Sequence, residues 1–315
     1  MNLTDKRILV TGGDGFLGKF VVKKLHSRNV KNIIIPDSKE DDLRNLSNCQ
    51  KFVENVDVIF HLAGNVGGIG LNREKPGELF YDNLLMGIQL MHEAKNAGVE
   101  KFIALGTVCS YPKFAAIPFN ENAIWDGYPE ETNAPYGLAK KMLLVQSQAY
   151  RQQYNFKSIV VIPTNLFGPN DNYSPVSSHV IPALILKIQK AKNSNADSII
   201  VWGDGTPTRD FLFVDDAAEG LILASEKYDD ETPLNLGSSE EVSIKQVVDH
   251  LCQIMNFNGK IIWDKTKPNG QPRRCVSSTK AQEKIGFKPK YSFKEGLNVM
   301  VNDFENNQKK YSSYF

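Results

Sequence analysis

The sequence predicts an α/β fold: a doubly wound parallel sheet followed by a smaller C-terminal α+β substrate region. Three observations carry this expectation. Through the first half, short apolar runs alternate with longer segments of helical spacing, a pattern that pairs strands in parallel through crossover helices. A glycine-rich turn follows the first of those runs. After Pro163, Pro and Gly become frequent and short strand-like runs mix with helical ones.

The elements follow in order. Arg7-Ile8-Leu9-Val10, Ile33-Ile34-Ile35, Val56-Asp57-Val58-Ile59-Phe60 and Phe102-Ile103-Ala104-Leu105 are short, apolar and branched, so they read as buried strands. Gly18 to Ser27 and Asn83 to Ala97 have helical spacing between them. A further helix spans Tyr136 to Tyr154, followed by the strand Ser158 to Ile162. In the second half Ser198 to Trp202 reads as a strand, Asp215 to Ser225 as a helix and Val242 to Met255 as an amphipathic helix. The polar end, Asn306 to Phe315, is expected to fray. Residues 1–163, with a later contribution from about 210–235, form the first domain; residues 164–315 form most of the second.

Composition excludes several function classes. The 315 residues amount to roughly two average domains, and 41% hydrophobic with 23% charged is ordinary for a globular chain. Lys+Arg 37 against Asp+Glu 36 leaves a net charge of +1, so no global field recruits nucleic acid or a membrane. Cys49, Cys109, Cys252 and Cys275 lie far apart without a C-x-x-C pair, which argues against a zinc site or a disulfide framework. No apolar run approaches the roughly 18 residues of a membrane span, and no signal-peptide pattern opens the chain. A cytoplasmic, reduced, soluble protein is expected.

Thr11-Gly12-Gly13-Asp14-Gly15-Phe16-Leu17-Gly18 lies between the first strand and the first helix. Glycines at 12, 15 and 18 allow a tight turn, close approach to a pyrophosphate and tight helix-strand packing. The helix start adds free N–H groups and a partial positive charge. This is the Rossmann-like dinucleotide site in its expected context. Near the end of the second strand stand Asp37, Ser38 and Lys39. Asp37 suits the free ribose hydroxyls of NAD(H), whereas Ser38 and Lys39 suit the 2′-phosphate of NADP(H). Physics alone leaves that choice open.

Tyr136 and Lys140 are four apart and share a helix face, and a neighbouring ammonium is expected to lower a phenol's pKa. The lysine can also hold the nicotinamide ribose. Thr107 ends the fourth strand, where side chains face the ligand crevice, and its hydroxyl can polarise a carbonyl with Tyr136. Glycine loop, strand-end hydroxyl and Tyr-x-x-x-Lys together resemble the short-chain dehydrogenase/reductase superfamily, in its extended form that acts on nucleotide sugars.

Several segments resemble one family within that group, GDP-L-fucose synthase. They are His61-Leu62-Ala63-Gly64-Asn65-Val66-Gly67-Gly68-Ile69, Cys109-Ser110-Tyr111-Pro112, Pro163 to Asn172, Ser178 to Leu184, and Val201 to Pro207 with Arg209 and Val214-Asp215-Asp216. The resemblance implies NADP(H)-dependent C3/C5 epimerisation of a GDP-4-keto-6-deoxy sugar, then reduction at C4. Epimerisation beside a ketone needs a base on one face and an acid on the other, and a thiol and an imidazole are plausible partners. The resemblance implies Cys109 and His179 in those roles, with the keto oxygen held by Thr107 and Tyr136.

It also implies Lys187 and Arg209 at the substrate diphosphate, Trp202 beside the sugar or base, and Arg273 in the loop Pro268 to Arg274 at a matching position. Leu62, Ala63, Gly64, Lys140, Pro163, Asn165, Leu166 and His179 would line the cofactor, with Asn165 and Leu166 at its nicotinamide end. Two departures stand out. Thr107 replaces the family's usual serine, and Asp14 stands where some members carry an arginine. Ser38-Lys39 followed by Asp42-Leu43 resembles members that use NADPH, so NADP(H) is favoured and NAD(H) stays possible. Fold analogy suggests a homodimer through the Asn83–Ala97 and Tyr136–Tyr154 helices. The alternatives are a reductase of another nucleotide 4-keto sugar, a dideoxyhexose or a heptose, and more remotely a non-catalytic dinucleotide-sensing module.

Overall fold

The structure is a computed structural model and describes residues 1–267 and 269–314, the side chains of 312 and 313 excepted; Pro268 of the loop singled out above lies outside them. The first half reads β1 (Arg7–Thr11), α1 (Phe16–Ser27), β2 (Asn32–Ile34), α2 (Leu46–Val53), β3 (Val58–His61), α3 (Ile69–Glu74), α4 (Pro76–Asn96) and β4 (Lys101–Leu105). Then come α5 (Ala134–Tyr154), β5 (Ser158–Pro163), β6 (Asn165–Phe167), α6 (Val180–Asn193), β7 (Ser198–Trp202), β8 (Thr208–Phe213) and α7 (Val214–Lys227). The rest is β9 (Leu234–Leu236), β10 (Glu241–Ser243), α8 (Ile244–Ile254), β11 (Lys260–Asp264), β12 (Arg273–Arg274), α9 (Thr279–Ile285) and α10 (Phe293–Asn306).

Six strands form one parallel sheet in the order β2-β1-β3-β4-β5-β9. Both faces are covered, which explains the continuous apolar runs. Ile8 and Val10 of β1 pack with α1, α7 and α9, while Leu9 between them packs with α2, α4 and α5. Strand order reverses between β1 and β3, so the turns after these two strands open the crevice where ligands of such sheets bind. Although α7 and β9 come late in the chain, they return to this sheet.

The rest of the second half packs separately. β8 pairs with β6, β10 and β12, and β7 pairs with β11. Apolar faces of α6, α8 and α10 close a second core on these strands. Among the described residues no helix is long and apolar enough to cross a membrane.

Three expectations need correction. Val242 belongs to β10, because Ser243 caps α8 with a reciprocal Ser243–Gln246 box and starts the helix at Ile244. α4 begins at Pro76, seven residues before Asn83, since proline at the first helical position supplies a preset φ without losing a hydrogen bond. As far as Tyr314 the polar end is helical, not frayed. Gln308–Tyr314 forms a 3₁₀ helix whose Tyr311 is buried against Tyr173 and Phe304, with ring centroids 4.5 and 5.4 Å away.

Candidate active site

The crevice is assembled by close backbone approach. Gly12 has φ +70°, and a Cβ there would lie 2.9 Å from Ala63 N. A Cβ on Gly18 would lie 2.6 Å from Gly13 Cα. Only glycine fits both places, so the turn after β1 and the chain after β3 form a cradle lined by backbone. Gly15 is the N-cap residue of α1, and no side chain caps that helix. Asp14 and Gly15 are exposed there, Phe16 is half-buried, and Gly13 and Leu17 are buried. These residues fit a pyrophosphate.

Thr11 locks the two turns together. Its Oγ1 accepts from Ala63 N at 3.2 Å and lies 2.9 Å from His61 Nδ1. Burial, then the charge of Lys140, pushes His61 down to about 3, so the ring is neutral. Lys140 is buried and donates to Ala63 O at 3.2 Å, with Gly64 beside its Nζ. Burial lowers its pKa to about 8.

At the end of β4, Thr107 is buried and its Oγ1 accepts from Cys109 N at 3.2 Å. A single 3₁₀ turn, Val108–Ser110, carries Cys109. Helix α5 presses onto that turn at Gly137, where a Cβ would lie 2.8 Å from the Cys109 carbonyl carbon and closer still to its oxygen. Ser110 Oγ donates to Gly137 O at 2.8 Å. Tyr136, one residue earlier on α5, is thereby brought close enough to the Thr107 hydroxyl for that group to favour the phenolate. The expected lowering by Lys140 is corrected here. Burial first, and Cys109 second, push the Tyr136 phenol up, while only the Thr107 hydroxyl pulls it down. The Lys140 ammonium is committed to Ala63 instead.

His179 is the N-cap residue of α6 and is exposed as a residue. The protein mass around it still disfavours the imidazolium and lowers its pKa. Its loop meets the turn after β3, since Gly68 N donates to Ser177 O at 3.1 Å. Pro163 ends β5, Asn165 Nδ2 donates to Asp210 O at 2.8 Å, and Leu166 lies in β6 with Leu62 near it in the same core. At the other end, Asp37, Ser38 and Lys39 are exposed, and Asp37 Oδ1 accepts from Lys39 N at 2.8 Å. Lys39 has no ion-pair partner among the described residues.

The cations sort differently from expectation. Lys187 donates to Ile200 O at 2.9 Å and lies 5.7 Å from the Trp202 ring, with Lys267 5.6 Å from the same ring. Ile69, Gly70, Arg73 and Glu74 complete this groove. Arg209 donates from Nη1 to Thr208 O and Gln271 O, both at 2.7 Å, and burial followed by Arg274 lowers it to about 9. Arg273 points away from the crevice: it is exposed and grips Glu241 through two bonds of 2.8 and 2.7 Å. Its neighbour Arg274 points inward and donates from Nη1 to Cys109 Sγ at 3.5 Å. Successive strand residues face opposite sides, and a two-residue strand is too short for the sequence to show which side is which. Lys267, Arg73 and Arg274 were not signalled by the sequence.

Comparisons with known proteins fit this arrangement. The NAD dependent epimerase/dehydratase family matches residues 8–237. A probable GDP-L-fucose synthase of Oryza sativa subsp. japonica is 39% identical over 94% of this chain and 91% of its own. The solved GDP-L-fucose synthetase of Naegleria fowleri bound to NADP is 30% identical, with a TM-score of 0.88 over 98% of this chain and 97% of its own. A GDP-6-OMe-4-keto-L-xylo-heptose reductase from C. jejuni, at 24% identity and a TM-score of 0.90 over 96% and 98% of the two chains, shares the fold.

Proposed function

The chain belongs to the NAD dependent epimerase/dehydratase family and, within it, to the GDP-L-fucose synthases; from that footing we propose that it epimerises a GDP-4-keto-6-deoxy sugar at C3 and C5 and then reduces C4. The observation that carries this reading is the contact of α5 with the Cys109 turn at Gly137, which brings a proton-transferring thiol and the Tyr136–Thr107 pair into one site.

Each residue then has a task. The glycine cradle and the start of α1 hold the pyrophosphate of the dinucleotide, and Lys140, fixed at Ala63 O, reaches its ribose. When bound, NADP(H) supplies the hydride. Exposed Lys39 suits the 2′-phosphate, and the Asp37 carboxylate is engaged by Lys39 N, which favours NADP(H) over NAD(H). Cys109 and His179 remove and return the protons beside the ketone, one on each face. An imidazole whose pKa is lowered by the protein mass around it releases its proton readily. Thr107 and Tyr136 hold the keto oxygen, and Tyr136 later donates the proton that makes it a hydroxyl.

Burial first, and negative charge at Cys109 second, push the Tyr136 phenol up and keep it protonated for that donation. Lys187, Lys267 and Trp202 with Arg209 fit the nucleotide diphosphate. Supplying GDP-4-keto-6-deoxy-mannose with NADPH tests the reading: NADPH is consumed and the product carries the inverted C3 and C5 configuration. No oxidation of NADPH or NADH refutes it.

A cytoplasmic setting and a homodimer complete the proposal. Phe80 and Tyr81 of α4 and Val145 and Tyr154 of α5 are exposed apolar residues that a two-fold pairing of these helices would cover. A monomer in size-exclusion chromatography would remove the dimer.

A further inference from the structure

We infer that Arg274 is the positioning residue of Cys109: its buried guanidinium fixes the sulphur and supplies the fixed positive charge that a thiolate there needs. This rests on the reading that Cys109 transfers protons. Arg274 is 8% exposed, yet no carboxylate lies within ion-pair distance of it among the described residues. A buried guanidinium without an anion is costly to keep. Its donors have two side-chain partners. Nε donates to Gln271 Oε1 at 3.2 Å, and Nη1 donates to Cys109 Sγ at 3.5 Å.

The support behind Arg274 is rigid. Gln271 is buried, and its Nε2 donates to Lys113 O at 3.1 Å while its carbonyl accepts from Arg209 Nη1 at 2.7 Å. β12 pairs in parallel with β8 so that Arg274 stands opposite Arg209. Two guanidiniums therefore flank one region, and the groups whose negative charge acts on Arg209 there are Cys109, Glu130 and Glu241. Of these three, the Cys109 sulphur is the one that Arg274 reaches by a hydrogen bond among the described residues. Charged and titratable groups facing that sulphur are Arg274 of β12, Arg209 of β8 and Tyr136 of α5.

The proton step balances within this frame. The Cys109 thiolate takes the proton beside the ketone and becomes a thiol, the C–H electron pair passes into the enolate, and Arg274 keeps its charge throughout. Each time the sulphur gives its proton up again, Arg274 stabilises the negative charge left behind.

The test reads the sulphur directly. Full-length protein carrying Arg274→Gln, and separately Arg274→Lys, is treated with iodoacetamide, and alkylation at Cys109 is followed by peptide mass spectrometry. An opposite charge within about 4–6 Å shifts an ionisation on the order of tenfold or more, partly offset by nucleophilicity. Alkylation of Arg274→Gln at pH 7 should therefore slow about tenfold and recover near pH 10, while Arg274→Lys keeps most of the rate. Unchanged alkylation in Arg274→Gln, or slowing by the same factor at both pH values, overturns the proposal. Should Arg274→Gln fail to fold, Arg274→Met and Arg274→Lys carry the same comparison. Solvent-deuterium exchange at C3 and C5 is measured alongside with Cys109→Ser. If that variant still exchanges, the catalytic reading of Cys109 fails, whatever the alkylation shows about Arg274.

Discussion

Gly137→Ala perturbs the contact that joins the two chemistries without touching a reacting group. The new Cβ would stand 2.8 Å from the Cys109 carbonyl carbon and 3.3 Å from Ser110 N. Ordinary carbon–carbon contact begins near 3.5 Å, and the Cys109 carbonyl oxygen lies closer than its carbon, so α5 and the Val108–Ser110 turn must separate by at least about 0.7 Å. That opening also stretches the Ser110–Gly137 bond, now 2.8 Å, and moves Tyr136 away from Thr107. Overpacking of this kind costs about 1–3 kcal/mol in stability, and misplacement by roughly 1 Å costs up to about 100-fold in rate. The glycine cradle lies on another element, so NADPH affinity should stay within about threefold while kcat falls by at least tenfold. The assay pairs NADPH titration by fluorescence with steady-state turnover. A kcat within threefold of the parent, with the fold intact, would refute the argument that this contact sets the site.

Other expectations follow from particular residues. Arg273→Ala should leave KM for the sugar nucleotide within about twofold, because Arg273 is exposed and held by Glu241, whereas Arg209→Ala should raise it by more than about tenfold. Lys39→Ala should raise KM for NADPH about fivefold and leave NADH unaffected, the size of one exposed charge contact, and an equal effect on both cofactors would refute the assignment. Burial raises Asp171 from 3.8 to about 7, so the folded state holds a proton that the unfolded chain has lost. Stability from this group is complete below pH 4 and drains away as pH rises to 7; Asp171→Asn should thus gain on the order of 4 kcal/mol on the parent across that window and level off above it. A stability difference that is flat from pH 4 to 8 in thermal melts would contradict it.

Much of the first sheet was legible because burial on both faces leaves little choice of residue. Ile8-Leu9-Val10 and Phe102 to Leu105 read as strands at once, and Ser198 to Trp202 matched β7 residue for residue. Other parts were hidden for physical reasons. Val242 has the spacing of α8, and only the Ser243 cap separates strand from helix. The polar residues Asn306 to Lys310 mask Tyr311, which fills the second core. The Arg273–Arg274 pair shows the limit most clearly. Nothing in two adjacent arginines tells which faces Cys109, because parity in β12 is set by its pairing with β8 across 64 residues of chain. Helix packing at Gly137 is likewise a tertiary fact without a local signal.

The central claim is that one crevice holds separate machinery for moving carbon-bound protons and for protonating the C4 oxygen. It is tested most directly by incubating the Tyr136→Phe protein with GDP-4-keto-6-deoxy-mannose and NADPH in deuterated water and weighing the recovered sugar nucleotide. The account expects deuterium at both C3 and C5 with the ketone unreduced. Recovery of undeuterated ketone from a folded, NADPH-binding protein would contradict it.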